Sequence, residues 1–464
     1  MKKSKKFVLA ALVLLAITGL LALAGCKNDT VPETPAAKLV SISVTPPAQT
    51  VYSEGQSFDP TGMVVTATYE GGEERTVTGT ITTDTGTLTQ SAGIGKTVTV
   101  SYKEGDATKE ATFTVDVASY QFTETVGDYE YSAGETGPMT GGTYKKFGDW
   151  PQTIKDKDVT VGKNTMTRGG MDFHVGSDGN YYVKEEEKAN GTGTEYKYSN
   201  GEQAGRGGTS TKWFKVEPIV WRVLTTSYEA PEDGTVGEIL LLAEKILTGG
   251  VPYYDVYNVN RTVGEATIYP NNYEHSAVRA WLNGLEYQYK KDANTAQTTE
   301  KKYLAAGFLQ TAFTESAQTL IADTTVDNSA ASTNPASNPK QWEEGENPYA
   351  SNTPTRDKIF LLSEKEATTS EYDFDEYNKY VGDDYDTTTS TRIRVTTDYA
   401  KATGAFQSST EGYGGWWWLR SPNYGREGYA HDITRNGAAD DYRNDVSSAD
   451  GGVVPALSIS LTEN

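Results

Sequence analysis

Between residues 423 and 448 the chain is built almost wholly from Tyr, Asn, Asp, Arg, His, Ser, Thr, Gly and Ala. That mixture of rigid aromatic anchors and adaptable hydrogen-bonding groups is the one recognition surfaces use. The residues expected to make contacts are Asn423, Tyr424, Arg426, Tyr429, His431, Asp432, Arg435, Asn436, Asp440, Asp441, Tyr442, Arg443, Asn444 and Asp445. Their chemistry is that of binding, with rings to stack and amides and guanidinium groups to hydrogen-bond at modest ordering cost. A plainer reading is a solvated meander closing a sheet, with Ile433 and Val446 inward and the polar residues outward. The flanks differ: Trp416-Trp417-Trp418-Leu419 on one side and Pro455 on the other are expected to be packed support.

Catalytic constellations are not legible. His174, His275 and His431 are far apart in sequence, and neither a Gly-x-Ser-x-Gly elbow nor a His-Glu-x-x-His helix is present. Paired carboxylates for sugar hydrolysis can always be drawn from 63 acidic residues, but no spacing singles out two of them. Gly95-Lys96-Thr97 ends like a phosphate loop, yet Gln90 stands where the first glycine belongs and strand-like sequence surrounds it. Asp373, Asp375, Asp383 and Asp384 could meet calcium, but they lack EF-hand spacing. The chain is therefore expected not to be an enzyme and to need no cofactor; metal binding stays open. With 42 Lys plus Arg against 63 Asp plus Glu, a net charge of −21, it repels nucleic acid.

Lys2, Lys3, Lys5 and Lys6 precede an apolar stretch over residues 7–24, and Leu23-Ala24-Gly25-Cys26 follows. An apolar run of about 18 residues would just reach across a bilayer, but a span does not require small residues before the chain's one cysteine. The box resembles that of bacterial lipoproteins. The resemblance implies a signal peptide over 1–25, lipidation of Cys26 as the membrane contact, and a tether over 26–37. Lys27, where an Asp would retain a lipoprotein at the inner membrane, implies the outer membrane surface in a double-membraned cell. With Cys26 acylated, no thiol remains for a disulfide, a thiolate nucleophile or a Cys-ligated zinc.

The elements that must position the polar segment fall into two units. Residues 38–117 lack tryptophan and alternate apolar with polar, as in Val40-Ser41-Ile42-Ser43-Val44 and Thr97-Val98-Thr99-Val100, with turn signals such as Glu104-Gly105-Asp106. This spacing predicts a seven-strand sandwich, and the segment resembles bacterial immunoglobulin-like domains used as spacers. Residues 118–143 read as a linker with few contacts. All eight tryptophans lie from Trp150 onward, so the larger core belongs to residues 144–464. The stretch from Tyr144 to Thr153 opens it; a buried strand is expected around Trp221 and strand-length apolar runs at Ile239-Leu240-Leu241-Leu242 and Ile359-Phe360-Leu361-Leu362, with a hairpin at Asp178-Gly179. A helix carrying Val278, Trp281, Leu282 and Leu285 is expected after a cap at Asn272, and Ser363 to Glu366 forms a capping box. The mixed order predicts an α+β domain with long loops over 327–355 and 372–391.

Six motifs in order carry a further resemblance: Phe147-Gly148-Asp149-Trp150-Pro151-Gln152, Pro218-Ile219-Val220-Trp221-Arg222-Val223-Leu224, Ser276-Ala277-Val278-Arg279-Ala280-Trp281-Leu282-Asn283, Asp357-Lys358-Ile359-Phe360-Leu361-Leu362-Ser363, Thr397-Asp398-Tyr399-Ala400 and Trp417-Trp418-Leu419-Arg420-Ser421-Pro422. They are similar to a bacterial family of surface domains of unknown function, which looks like the C-type-lectin-like fold of formylglycine-generating enzymes and of treponemal lipoproteins diversified by retroelements. In those variable proteins the C-terminal segment displays the diversified residues. Residues 423–448 contain no Lys, Gln, Met or Trp and only one Glu, Glu427. Codons ending in a pyrimidine, which such mutagenesis of AAC-type codons yields, cannot specify these five types. Formylglycine chemistry needs cysteines that this chain lacks outside the lipoprotein box. The sequence thus predicts an anchored lipoprotein whose immunoglobulin-like spacer presents a C-type-lectin-like domain to a protein or glycan ligand. The alternatives are a structural or adhesive envelope protein without a dedicated site, and a carbohydrate-active enzyme. Cys26→Ser should release the protein from membranes and abolish labelling by a fatty-acid probe; unchanged labelling would refute lipidation.

Overall fold

The computed structural model describes residues 37–132, 142–190, 196–205, 208, 210–228, 237–290, 294, 298–333, 347–351, 353–374, 391–440 and 444–460. The leader, Cys26 and the tether lie outside the described residues, as do Asp441, Tyr442, Arg443 and most of the two long loops, with Asp375, Asp383 and Asp384.

The N-terminal unit is a sandwich of seven strands. Leu39–Thr45, Val64–Tyr69 and Glu74–Val77 form one sheet; Val51–Ser53, Ala107–Ala118, Gly93–Glu104 and Thr80–Ile81 form the other. Alternation places Val65, Ala67 and Tyr69 from the first sheet against Val98, Val100, Val115 and Val117 from the second, with Phe113 and Tyr52 completing the core. Lys96 donates to the Leu88 carbonyl at 2.7 Å from within a strand, so the phosphate-loop lookalike is ordinary sheet. Leu39 pairs with Tyr69, whose hydroxyl lies by Glu104 at the turn joining the two long strands. The chain therefore enters at the pole opposite Ala118, where it leaves.

At that exit the expected linker is docked rather than free. Val51 and Ala118 share one buried cluster with Phe173, Val175, Tyr181, Val183 and Val216 of the larger unit, and Tyr120 and Phe122 pack onto it. Two aromatic side chains in eight residues cannot stay in water cheaply, and Phe122 stacks on Tyr181 at 5.0 Å. The backbone amides of Ser119 and Tyr120 both donate to the Gly179 carbonyl, at 3.0 and 3.1 Å. Gly179 is the left-handed residue (φ +79°) of the anticipated Asp178-Gly179 hairpin, and a Cβ there would sit 2.2 Å from Ser119 Oγ. The buried Asp116 carboxylate accepts from the amides of Gly95 (2.6 Å) and Asn164 (3.2 Å), one from each unit.

The larger unit is mostly strand. Its nine-stranded sheet is built on Thr211–Tyr228, which pairs along one edge with Tyr144–Ile154 and along the other with Tyr181–Glu186 and then Glu238–Ala243. Ala456–Ser460 lies between Glu238–Ala243 and Ile359–Phe360. A separate three-stranded sheet contains Trp417–Pro422, Ala430–Ile433 and Ala439–Asp440. Helices are present but short, and the unit is predominantly β. The Ala277–Asn283 helix is capped by Ser276, whose side chain accepts from the Arg279 amide; Asn272 instead accepts from His275. Gly284, left-handed at φ 67°, ends the helix before Leu285. The Ser363 and Glu366 capping box is formed on Glu364–Ala367. Asp116→Ala should leave two amides at the junction unpaired and lower stability by about 1–3 kcal/mol, read as a fall in Tm of the whole chain; an unchanged Tm would show that the junction is not a load-carrying contact.

Candidate functional site

The support beneath the polar segment is deeply buried. Trp417, Trp418 and Leu419 have no exposed surface, and every residue of Trp417–Pro422 is interior. Trp417 faces Ile433 across the strand pair and its indole donates to the Arg392 carbonyl at 3.2 Å. Gly451 is required by contact, because a Cβ there would lie 2.3 Å from the Trp418 indole nitrogen. Trp416 and Pro455 are buried as expected.

The Glu364–Ala367 helix is locked onto this strand by charge. Arg420 pairs with Glu366 and donates to the Leu361 carbonyl at 2.9 Å, while the Ser421 hydroxyl accepts from the Glu364 amide at 2.9 Å. Burial opposes the charge on Arg420, but Glu366 outweighs it and holds the guanidinium above its ordinary pKa. His431 pairs with Glu364, both almost fully buried.

The expected contact set therefore divides. Asn423, His431, Asp432 and Asn436 are buried, contrary to their expected outward position. For His431 and Asp432 the reason is that Ala430–Ile433 is covered on both faces, so alternation has no solvent side to offer, and its polar members find partners inside; Asn423 and Asn436 are buried in turns, Asn423 through the contacts of its turn and Asn436 by accepting from the Thr434 hydroxyl. Asp440 ends the Ala439–Asp440 strand. Tyr424, Tyr429, Asn444 and Asp445 are half-buried, and Arg426 and Arg435 are exposed.

Residues distant in sequence complete the exposed face. The Tyr257 and Tyr429 hydroxyls are 3.1 Å apart, their rings meet edge to face at 5.5 Å, and Tyr257 is 38% exposed. That hydrogen bond holds the Tyr257 hydroxyl above its ordinary pKa, with burial adding to it, so the group stays a neutral donor and acceptor. The Arg426 guanidinium lies 5.4 Å from the Tyr429 ring centroid. Asn260 donates to Glu427 at 3.1 Å, and Tyr269 and Tyr349 form a second edge-to-face pair at 4.8 Å. Gly428 packs against Asn258 and Tyr257, and Asn258 itself is left-handed at φ 52°.

One buried side chain shapes the loop that carries these groups. The Asn271 amide donates to three carbonyls, those of Asn423 (3.0 Å), Arg426 (3.1 Å) and Tyr429 (2.9 Å). Asn423 closes the turn by accepting from the Gly425 amide at 3.0 Å, and its own amide donates to the Tyr429 carbonyl. Asn271 stands beside Pro270 in the sequence, an ordinary turn signal that names no distant partner. Tyr257, Tyr269 and Tyr349 are likewise scattered, and only their number in a tyrosine-rich chain hinted at such a face.

Among the described residues, no group of three His, Cys, Asp or Glu side chains gathers as a metal site, and no helix is long and apolar enough to cross a membrane. Asn271→Ala removes three hydrogen bonds to one loop and should lower stability by about 1–3 kcal/mol. Hydrogen exchange over residues 423–429 should rise more than over Trp417–Pro422; a uniform rise, or none, would refute the clasp.

Residues 45–117 match the bacterial Ig-like domain (group 3). Residues 236–461 match a domain of unknown function, DUF6273, beginning later than the Phe147 motif had implied although the earlier strands share its sheet. No curated protein and no solved structure matches the chain. The chain thus carries a group 3 bacterial Ig-like domain ahead of a C-terminal DUF6273 domain.

Proposed function

We propose that this chain is a surface-anchored lipoprotein whose immunoglobulin-like domain holds a ligand-binding face away from the membrane, the face being formed by its C-terminal segment together with Tyr257, Tyr269 and Tyr349. The observation that carries the reading is the exposed Tyr257 and Arg426 gathered about half-buried Tyr429, at a loop fixed from below by a buried amide. Rings held in place lose little entropy on binding, which is how preorganised surfaces gain affinity. Polarity of the chain agrees: residue 37 leaves the sandwich at the pole opposite its junction with the larger unit. The lectin-like fold and the retroelement relationship belong to the same proposal. They are supported by a polar excursion pinned at both ends by buried strands, Trp417–Pro422 and Ala456–Ser460.

An array of glycans and host proteins probed with wild type and with the triple variant Tyr257→Ala, Arg426→Ala, Tyr429→Ala tests it. The variant should melt within several degrees of wild type, since the exposed Tyr257 and Arg426 cost about 0.5 kcal/mol each or less and half-buried Tyr429 about 1 kcal/mol, and should lose wild-type ligands, with one or two positions dominating. A folded variant that retains every ligand places the site elsewhere.

A further inference from the structure

A pocket of about 230 Å³ opens beside the Ala277–Asn283 helix and the end of Tyr181–Glu186, lined by Met171, Glu185, Lys188, Gly250, Val251 and Trp281 among others. Its apolar wall is Trp281. On the same helix Val278 and Leu282 are fully buried, whereas Trp281 keeps part of its surface open, beside half-buried Met171 and Val251. Trp150 meets its ring edge to face at 6.0 Å and Phe308 packs at 5.6 Å, so the indole is held in place without being covered. Gly250 leaves its part of the wall bare. It is left-handed at φ +72°, and a Cβ there would lie 2.6 Å from the Thr403 carbonyl oxygen.

The polar groups of the pocket have hydrogen bonds to give. Glu185 is oriented by the Tyr399 hydroxyl, which donates to it at 3.0 Å, and it also accepts from the Glu186 amide at 3.1 Å; lone pairs on its carboxylate remain unspent. Lys188 stands 3.8 Å from Glu186, too far for a hydrogen bond, and both side chains are more than half exposed, so that pairing is weak and the ammonium donors are open to exchange. Glu185 and Lys188, the two charged side chains on the wall, cancel, so nothing there calls for an ionic ligand. One acceptor and one donor beside an aromatic wall match a molecule with an apolar C–H face and a rim of hydroxyls. The volume is that of roughly eight waters at about 30 Å³ each, room for one six-membered sugar ring and not for two.

We propose that this pocket binds one neutral pyranose ring, stacked on Trp281, with Glu185 accepting from one hydroxyl and Lys188 donating to its neighbour. None of the lining residues belongs to the aromatic face of Tyr257 and Tyr429, so the site stands independently of that reading.

Titration calorimetry and indole fluorescence on the full chain in detergent test the proposal. The probes are glucose, galactose, mannose and N-acetylglucosamine, each as free sugar and as methyl glycoside, with choline and glucuronate as charged comparisons. At least one neutral sugar should bind saturably with a Kd of about 1–10 mM. Equal binding of its methyl glycoside assigns the ligand to a glycan terminus; binding of the free form alone assigns it to a free sugar. Lys188→Met, at an exposed position, should weaken that sugar about tenfold with Tm unchanged. Trp281→Ala should abolish binding, and Trp281→Tyr, which restores a ring, should recover part of it. No saturation by any neutral sugar at about 100 mM, tighter binding of choline or glucuronate than of every neutral sugar, or undiminished affinity in folded Lys188→Met or Trp281→Ala would each overturn the proposal.

Discussion

The double pairing of Ala456–Ser460 is the constraint on which the larger unit depends. This strand hydrogen-bonds to Glu238–Ala243 on one side and Ile359–Phe360 on the other, so the segment after the polar stretch must return to an interior position of the sheet, one strand from its edge. Thr324 and Ser458 hydroxyls meet beneath it at 2.6 Å, tying a third region to the same strand. Once both Trp417–Pro422 and Ala456–Ser460 are buried, everything between them is an excursion with fixed ends. Its loop-closure entropy is then met by the sheet and not by the loop's own contacts. A polar sequence with few internal apolar groups can hold a shape on such terms.

Buried charge settles how that excursion sits. Successive acidic residues of the Glu364–Ala367 helix reach into the adjacent sheet, Glu366 to Arg420 and Glu364 to His431. Such pairs add little net stability compared with apolar packing, but removing one partner leaves an uncompensated interior charge. Their effect is on register: a one-residue slip of Trp417–Pro422 would turn Arg420 away from Glu366 and send every side chain to the opposite face. The conjunction of the Leu361-Leu362-Ser363-Glu364 and Leu419-Arg420-Ser421-Pro422 motifs has a physical reason in this interlock.

The junction between the two units follows a different logic. Its amides, the Asp116 carboxylate and the aromatic pair Phe122 and Tyr181 make it a joint with directional contacts, and a hinge would need those groups to be satisfied by water instead. A joint of this kind transmits the orientation of the sandwich to the larger unit.

The chain alone determined what depends on neighbours in sequence. Period-two alternation identified the sandwich strands, Asp178-Gly179 marked the hairpin, Ser363 and Glu366 marked a cap, and the tryptophan-rich run announced buried support. Local signals also misled where two offers competed: Ser276 took the cap expected at Asn272, because it lies directly before the first helical residue. What only the tertiary structure decided is which polar residues face water. His431, Asp432, Asn423 and Asn436 read as surface by type, yet a strand covered on both faces took His431 and Asp432 inside, His431 beside Glu364, and buried turns took Asn423 and Asn436, Asn423 beside the Asn271 amide. Tyr257 joined Tyr429 across 172 residues, and Tyr120 and Phe122 turned a linker into a joint. Long-range proximity is set by how sheets stack and chains return, and a residue's type and near neighbours carry no record of that.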